Sequence, residues 1–427
     1  MSSSSDPTSQ RTAIAVLHRR AGLGLRPGEL DARMAESKTA ASEIDRLLSI
    51  GATRANDDPF AGVDHAMLGA DKRTGEATAV AAWLDHMVAS ENPLGDRMTW
   101  LWHGHLVAGS DRVKNAELMA RYIATLHKFA LGNFRDLLRA VTTEAAMLIY
   151  LDGYKSTAKS PNENYSRELM ELFALGLGTS GTLAYSEVDV ANGARALTGF
   201  GGNKYSTEVK YSAQRHDDTS VPYLGHKVHD VDTVIDAVLA QPPCAPFVAR
   251  RVANALLGSS VDSELVANAA DKFRSSSYDI SVLVAELLRG SLQTPATSFV
   301  SAPTPWLVRL HRATSATLAP KPRSAHLRAA GQVPFEPPNV SGWPSGNAWL
   351  AAGTVIERFN LAGLLASGTP QSSTLITAAA HSDWAALADG LGRPEGFIDA
   401  EISVLASRAN VTERLTLAYA SPSIVEI

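Results

Sequence analysis

The chain is 427 residues long, 45% hydrophobic and 19% charged, which is too apolar for a disordered segment and enough for one large domain or two to three ordinary ones. Its 39 basic and 44 acidic residues leave a net charge of −5, which argues against a protein that grips nucleic acid through its phosphates. The single cysteine, Cys244, rules out an intramolecular disulfide, a CxxC redox pair and a cysteine-based zinc or iron–sulfur site.

The opening MSSSSDPTSQ is polar and lacks a basic region followed by an apolar one. Residues 1–11 therefore read as a flexible tail, with no signal peptide and a cytoplasmic location expected. No stretch approaches the roughly 18–20 apolar residues of a membrane span. Apolar residues then recur at three and four, the helical period, and alternating β-branched runs are scarce. A short helix is expected over 12–20, and Pro27 starts another ahead of ELDARMAE. A Gly/Asp/Asn-rich loop covers about 51–62, and a long helix follows over about 76–88. Asn92-Pro93 caps the next helix, which carries DRMTWLWHGHLVAG. Helices over 115–131 and 133–150 lead to a capping box at Ser160-Pro161-Asn162-Glu163, the expected start of a helix reaching about Ala174. Ser186 and Asp189 open another that ends at Gly199. Residues 200–230 look irregular or weakly β. Helices resume at 231–241, 245–257, 261–275 and 279–290, and close the chain at 353–366, 372–390 and 395–419. Between them, residues 318–348 form a proline-rich loop. The expected fold is mainly α: an irregular multi-helix domain over 12–427 with long Gly/Pro-rich loops and little or no sheet. A division into a motif-bearing part, 12–230, and a second helical part, 231–427, is open.

Three constellations carry candidate chemistry. On a helical wheel from Pro161, Tyr165, Leu169, Leu172 and Phe173 form an apolar stripe, while Asn164, Arg167, Glu168 and Glu171 form a polar one. The polar stripe is either a surface face laced by ion pairs of about 0.3–0.5 kcal/mol each, or a cleft face with Glu168 and Glu171 as metal ligands or an acid/base pair. In Trp100-Leu-Trp-His103-Gly-His105, the two histidines lie about 200° apart on a helix. They would chelate together only if Gly104 breaks the helix; otherwise they pack between tryptophans. His216-Asp217-Asp218, followed by His226 and His229, supplies loop ligands or ordinary turns. Arg19, Arg20, Arg167 and Arg195 lie in or beside these stretches and suit an anionic group or internal pairing. No HExxH, Walker A, GxGxxG, GxSxG or EF-hand pattern occurs.

The chain resembles the large bacterial family called domain of unknown function 1800. The resemblance rests on HRRAGLGLRPGEL (18–30), NPLGDRMTWLWHGHLV (92–107), MLIYLDG (147–153), SPNENYSRELMELFALG (160–176), YSEVDVANGARALTGF (185–200), RHDDTSVPYLG (215–225) and PFEPPNVSGWPSGNAWL (334–350), in the family's order. It implies a mainly helical fold, and for many members export and a sulfatase-like partner encoded nearby. This chain departs from that in its polar start. Members usually carry a lysine after the His-Asp pair, where this chain reads TSVPYLG, so no role of that lysine transfers.

The resulting expectation is an enzyme with a polar His/carboxylate site on a small, anionic substrate, acting as hydrolase or oxidoreductase. Glu168, Glu171, Arg167 and Arg195 are the expected catalytic residues. His103, His105, Glu168, His216 and Asp217 are the expected ligands of a divalent transition metal, iron, zinc or manganese. Asn162, Asn164 and Trp343 are expected at the substrate, with the proline-rich loop as cover. Two alternatives stand beside it: a non-catalytic binding or scaffold protein whose polar helix is a structural network, and a metal-free acid/base hydrolase using Glu168 with His216.

Overall fold

Helix caps written into the sequence set the architecture. In the computed structural model, which describes residues 6–69, 72–178, 184–201, 209–293 and 298–427, Asn92 accepts from the Gly95 amide and Pro93 takes the first position of the helix Pro93–His105. Asn115, Asn133 and Asp262 cap in the same way. Ser186 and Asp189 form a reciprocal capping box at the start of Glu187–Ala196. Among the described residues the chain forms 24 α-helices and two antiparallel sheets of two strands each, so the fold is mainly α. The strands pair Phe200–Gly201 with Lys210–Tyr211 and Val221–Tyr223 with His226–Val228, all within the segment expected to be irregular. No helix of the described residues is long and apolar enough to cross a membrane.

Three layers of contact matter for the candidate site. The helix Pro93–His105 lies at the centre, almost wholly buried, and packs on Ala116–Lys128 and Ala40–Thr53. The helix Lys72–Ala89 lies against Ala116–Lys128, Pro303–Thr314 and Pro320–Ala329. The helix Cys244–Leu257 meets both Pro93–His105 and Leu169–Ala174. One buried apolar cluster consequently runs from Leu17 to Val425.

Several expected elements differ in detail. Residues 7–11 are not a loose tail: Asp6 accepts from the Thr8 amide and Pro7 opens the helix Pro7–Ala21. The helix expected from Ser160 starts instead at Asn164, because a tight turn pairs Thr157 with Ser160 and the Ser156 hydroxyl holds the Asn162 amide. From Leu169 to Ala174 that helix widens to π geometry, with the Leu175 amide reaching the Met170 carbonyl. The expected 133–150 helix divides at Thr143-Glu144, where Thr142 and Thr143 bond back to the carbonyls of Leu138 and Arg139. The 318–348 segment is not all loop. Pro320 and Pro322 sit in the first turn of the helix Pro320–Ala329, where a missing amide hydrogen does no harm.

Candidate functional site

The expected site residues fall into three separate neighbourhoods. In the first, the helix Pro93–His105 runs through Gly104 without a break, so His103 and His105 leave it on different sides. Gly104 serves close packing: a Cβ on Gly342 would meet the Gly104 carbonyl oxygen at 2.1 Å, and Trp343 lies over the same spot. Trp343 stacks on Trp100 at 5.1 Å and 13°, and meets His103 edge-on at 5.2 Å. His103 is fully buried, and its Nε2 accepts from the Phe335 amide at 3.1 Å. Phe335 has a positive φ of 68°, and its carbonyl accepts from the Ser110 amide, so both of its backbone groups are pinned. Burial pushes the His103 pKa down to about 3, so it stays neutral. The proline-rich stretch around Trp343 thus packs on the central helix through Trp100, His103 and Gly104.

In the second neighbourhood, the guanidinium of Arg167 is held by both oxygens of Glu187 at 2.7 and 2.8 Å. Glu171 accepts from the Tyr185 hydroxyl at 2.6 Å. Asn162 accepts from the Asn164 amide at 3.0 Å, and Asn164 donates to the Leu151 carbonyl at 3.4 Å. Glu168 alone has no hydrogen-bond partner among the described residues. Burial, and then the nearby Glu171 charge, raise its pKa, with Arg167 opposing. In the third, Arg195 donates to Asp217 at 2.7 Å and His216 donates through Nδ1 to the Thr198 carbonyl at 2.9 Å. The Arg195 guanidinium and the Thr219 side chain, followed by burial acting in the opposite sense, leave Asp217 at about 2. The five expected metal ligands are not brought together: the one His/Asp/Glu/Cys trio among the described residues with ligand atoms all within 4.8 Å is His86, Asp96 and His127.

The first neighbourhood opens on its other side into a pocket of ≈ 200 Å3. Arg97, Leu101, Gly104 and His105 line it from the central helix, and Arg251, Asn254 and Ala255 from Cys244–Leu257. Phe299–Ala302 and Ile427, which pair backbone to backbone, make a third side, and Trp343 and Trp349 the fourth. Arg97 is 8% exposed and donates only to main-chain carbonyls, those of Arg20 at 3.1 Å and Ala255 at 2.6 Å. Burial lowers its pKa to about 10, so it is still charged at neutral pH. Arg251 is exposed at the rim, over the Phe247 ring at 5.5 Å. Neither arginine makes an ion pair among the described residues. Three further lining atoms are buried without a hydrogen-bond partner among the described residues: His105 Nδ1, Asn254 Oδ1 and Trp343 Nε1. His105 donates through Nε2 to the Phe173 carbonyl at 2.9 Å, which leaves Nδ1 as a lone-pair acceptor. Burial, then Arg251, push its pKa down to about 3. Behind the pocket, Arg309 is surrounded by Arg19, Arg358, Arg393 and Arg97, and burial and then these like charges hold its pKa well below the ordinary value.

Sequence reasoning missed Arg97, Arg251 and Asn254. Arg97 is the fifth residue of the helix Pro93–His105, within the stretch NPLGDRMTWLWHGHLV, where nothing local distinguishes it from an ordinary surface arginine. Arg251 and Asn254, at i and i+3 beside Arg250 in a mostly apolar helix, are a weak signal. His86 and His127 gave none, since they lie 41 residues apart, and only folding sets them beside Asp96.

The profile of the family described as protein of unknown function (DUF1800) matches residues 16–422, nearly the whole chain. The chain belongs to that family. No curated protein and no solved structure matches it.

Proposed function

We propose that this DUF1800 protein binds a small organic anion, through a carboxylate or phosphate group, in the pocket between Pro93–His105, Cys244–Leu257 and the Trp343 segment. The observation that carries this reading is the pair Arg97 and Arg251: two guanidinium groups at one pocket with no carboxylate partner among the described residues. Guanidinium forks recognise such oxyanions by charge-assisted hydrogen bonds. The tryptophans give a planar apolar surface for the rest of the ligand, and His105 Nδ1 and Asn254 Oδ1 would accept from a hydroxyl or amine on it. The volume of ≈ 200 Å3 is below the roughly 300–1,000 Å3 of drug-sized sites, which favours a small acid or one end of a longer molecule. Three of the quoted signature stretches, those containing Arg20, Arg97 and Trp343, meet at this place.

Thermal-shift and calorimetric titration with a panel of benzoate, other aromatic carboxylates, phosphate and phosphate monoesters tests it. At least one aromatic acid or phosphate ester is expected to stabilise the protein, and Arg251→Ala to weaken its binding about tenfold or more without lowering the melting temperature. A panel that does no more than chloride at equal ionic strength would refute the reading.

A second reading follows from Glu168. A half-buried carboxyl without a partner, raised by burial and by a neighbouring carboxylate, has the character of a general acid. Under this reading the polar stripe at the π-helical segment acts on a substrate. Because Glu168 does not line the anion pocket, its substrate would be a molecule held at the polar stripe itself, and Glu168→Gln would abolish turnover of that molecule while leaving anion binding in the pocket intact. Retained turnover in that variant would sink it.

A further inference from the structure

We propose that His86, Asp96 and His127 form a binding site for one divalent transition-metal ion. Three helix ends converge there. His86 comes from the last turn of Lys72–Ala89, Asp96 from the first turn of Pro93–His105, and His127 from the last turn of Ala116–Lys128. His86 Nε2 lies 3.0 Å and His127 Nε2 3.5 Å from the same oxygen, Asp96 Oδ1. Two ligand atoms each about 2.0–2.2 Å from one ion lie about 3.0–3.5 Å apart at tetrahedral to octahedral angles, which is the spacing of Asp96 Oδ1 from each imidazole, and all three ligand atoms lie within 4.8 Å of one another. A hydrogen-bond account leaves too much over. The separation of 3.5 Å is long for a hydrogen bond. His127 is 2% exposed, yet among the described residues neither of its ring nitrogens has a hydrogen-bond partner, and the second oxygen of the fully buried Asp96 has none either. Buried polar atoms are normally satisfied, and an ion would satisfy His127 Nε2 and the carboxylate together.

The donor set specifies the class. Two imidazoles and one carboxylate suit zinc, iron(II) or manganese, whereas calcium and magnesium ask for oxygen alone. His86, with 21% of its side chain exposed, is the edge through which an ion would enter, and the negative charges of Asp57 and Asp58 act on it from that side. Arg312 is a positive charge on which Asp96 acts. Its guanidinium is committed to the carbonyls of Met87, Val88 and Ser90, at 3.3, 3.0 and 3.0 Å, and so braces the turn between His86 and Asp96. The competing arrangement is a plain His86–Asp96 ion pair with His127 packed beside it.

Cobalt and zinc titrations of the full chain, produced without a histidine tag and stripped with chelator, separate the two. The wild type is expected to bind one equivalent of Co2+, to show the visible absorption of a nitrogen/oxygen-ligated ion, to release it to Zn2+, and to melt at higher temperature when loaded. In His86→Ala and His127→Gln the Co2+ affinity is expected to fall about 100-fold or more, while His229→Ala, at an exposed loop histidine, keeps it. A folded wild type that takes up neither ion, or a His86→Ala variant that binds as the wild type does, overturns the proposal. Because His86 is partly exposed, His86→Ala decides the matter even if His127→Gln fails to fold. None of these outcomes depends on the anion pocket.

Discussion

Acidification from about pH 7 to about pH 5 should destabilise this protein by several kcal/mol, and two histidines account for most of it. His103 and His105 are buried and neutral, each held down to about 3 from an ordinary value of 6.5. A folded-state value below the unfolded one means that the stability is complete above about pH 6.5 and is lost as the pH falls towards 3, since the unfolded chain takes up the protons first. Each histidine then contributes a slope of about 1.4 kcal/mol per pH unit, or about 2 kcal/mol at pH 5, and the pair about 4 kcal/mol. Against a total of roughly 5–15 kcal/mol this is a large share. Carboxylates add little in that window. Burial raises Glu43, but Arg46 and then His18 outweigh it, leaving it at about 2. Its stability is present above about pH 4.5 and is lost only below that. His86 acts with the opposite sign. Burial lowers its pKa, but the hydrogen bond and charge of Asp96 raise it overall, so its contribution is present below pH 6.5 and lost at higher pH. Urea unfolding at several pH values between 7 and 4.5 measures the slope. A flat profile would refute the assignment of His103 and His105 as neutral buried groups. So would a His103→Gln variant that folds but keeps the full slope.

Other outcomes follow from the same contacts. Gly342→Ala should destabilise by well over about 1 kcal/mol, because φ is 83° and the new Cβ would strike a backbone oxygen at 2.1 Å. Gly104→Ala, whose Cβ would sit 3.4 Å from the Trp343 ring, should stay within about 1 kcal/mol of wild type; denaturant melts of the two variants test the asymmetry. Glu43→Gln should cost about 3–5 kcal/mol, since Glu43 is fully buried with His18 at 2.8 Å and Arg46 at 2.6 Å, and a loss under 1 kcal/mol in urea melts would contradict it. Glu168→Gln should stabilise the protein at pH 7 and not at pH 4, because a carboxyl with a raised pKa destabilises only when ionised; thermal melts at the two pH values read this directly.

Much of the fold was legible from local signals. Asn92-Pro93 and Ser186-x-x-Asp189 mark helix starts that the structure reproduces, because a cap acts on its own amides within three residues. Ser160-Pro-Asn-Glu carries the same signal and fails, since the preceding turn had already claimed Ser160 and Asn162. The apolar stripe of Tyr165, Leu169 and Phe173 is buried as expected, but no periodicity revealed the wider π turn through Leu169–Ala174. The site was less legible for a different reason. Short spacing drew attention to His103 and His105, yet their sharpest contacts are with Phe335 and Phe173, far away in the chain. Arg97 looked ordinary because its lack of a carboxylate partner is a property of the folded surroundings alone.

The His103–Phe335 contact also has a consequence for synthesis. Its two ends lie 232 positions apart. A ribosome adding about 5–20 residues per second separates their emergence by roughly 12–46 seconds. Throughout that interval Trp83, Trp100 and His103 lack Phe335 and Trp343, the rings that later pack on them. A ribosome stalled before residue 335 therefore leaves behind a chain whose central helix has lost one of its packing walls.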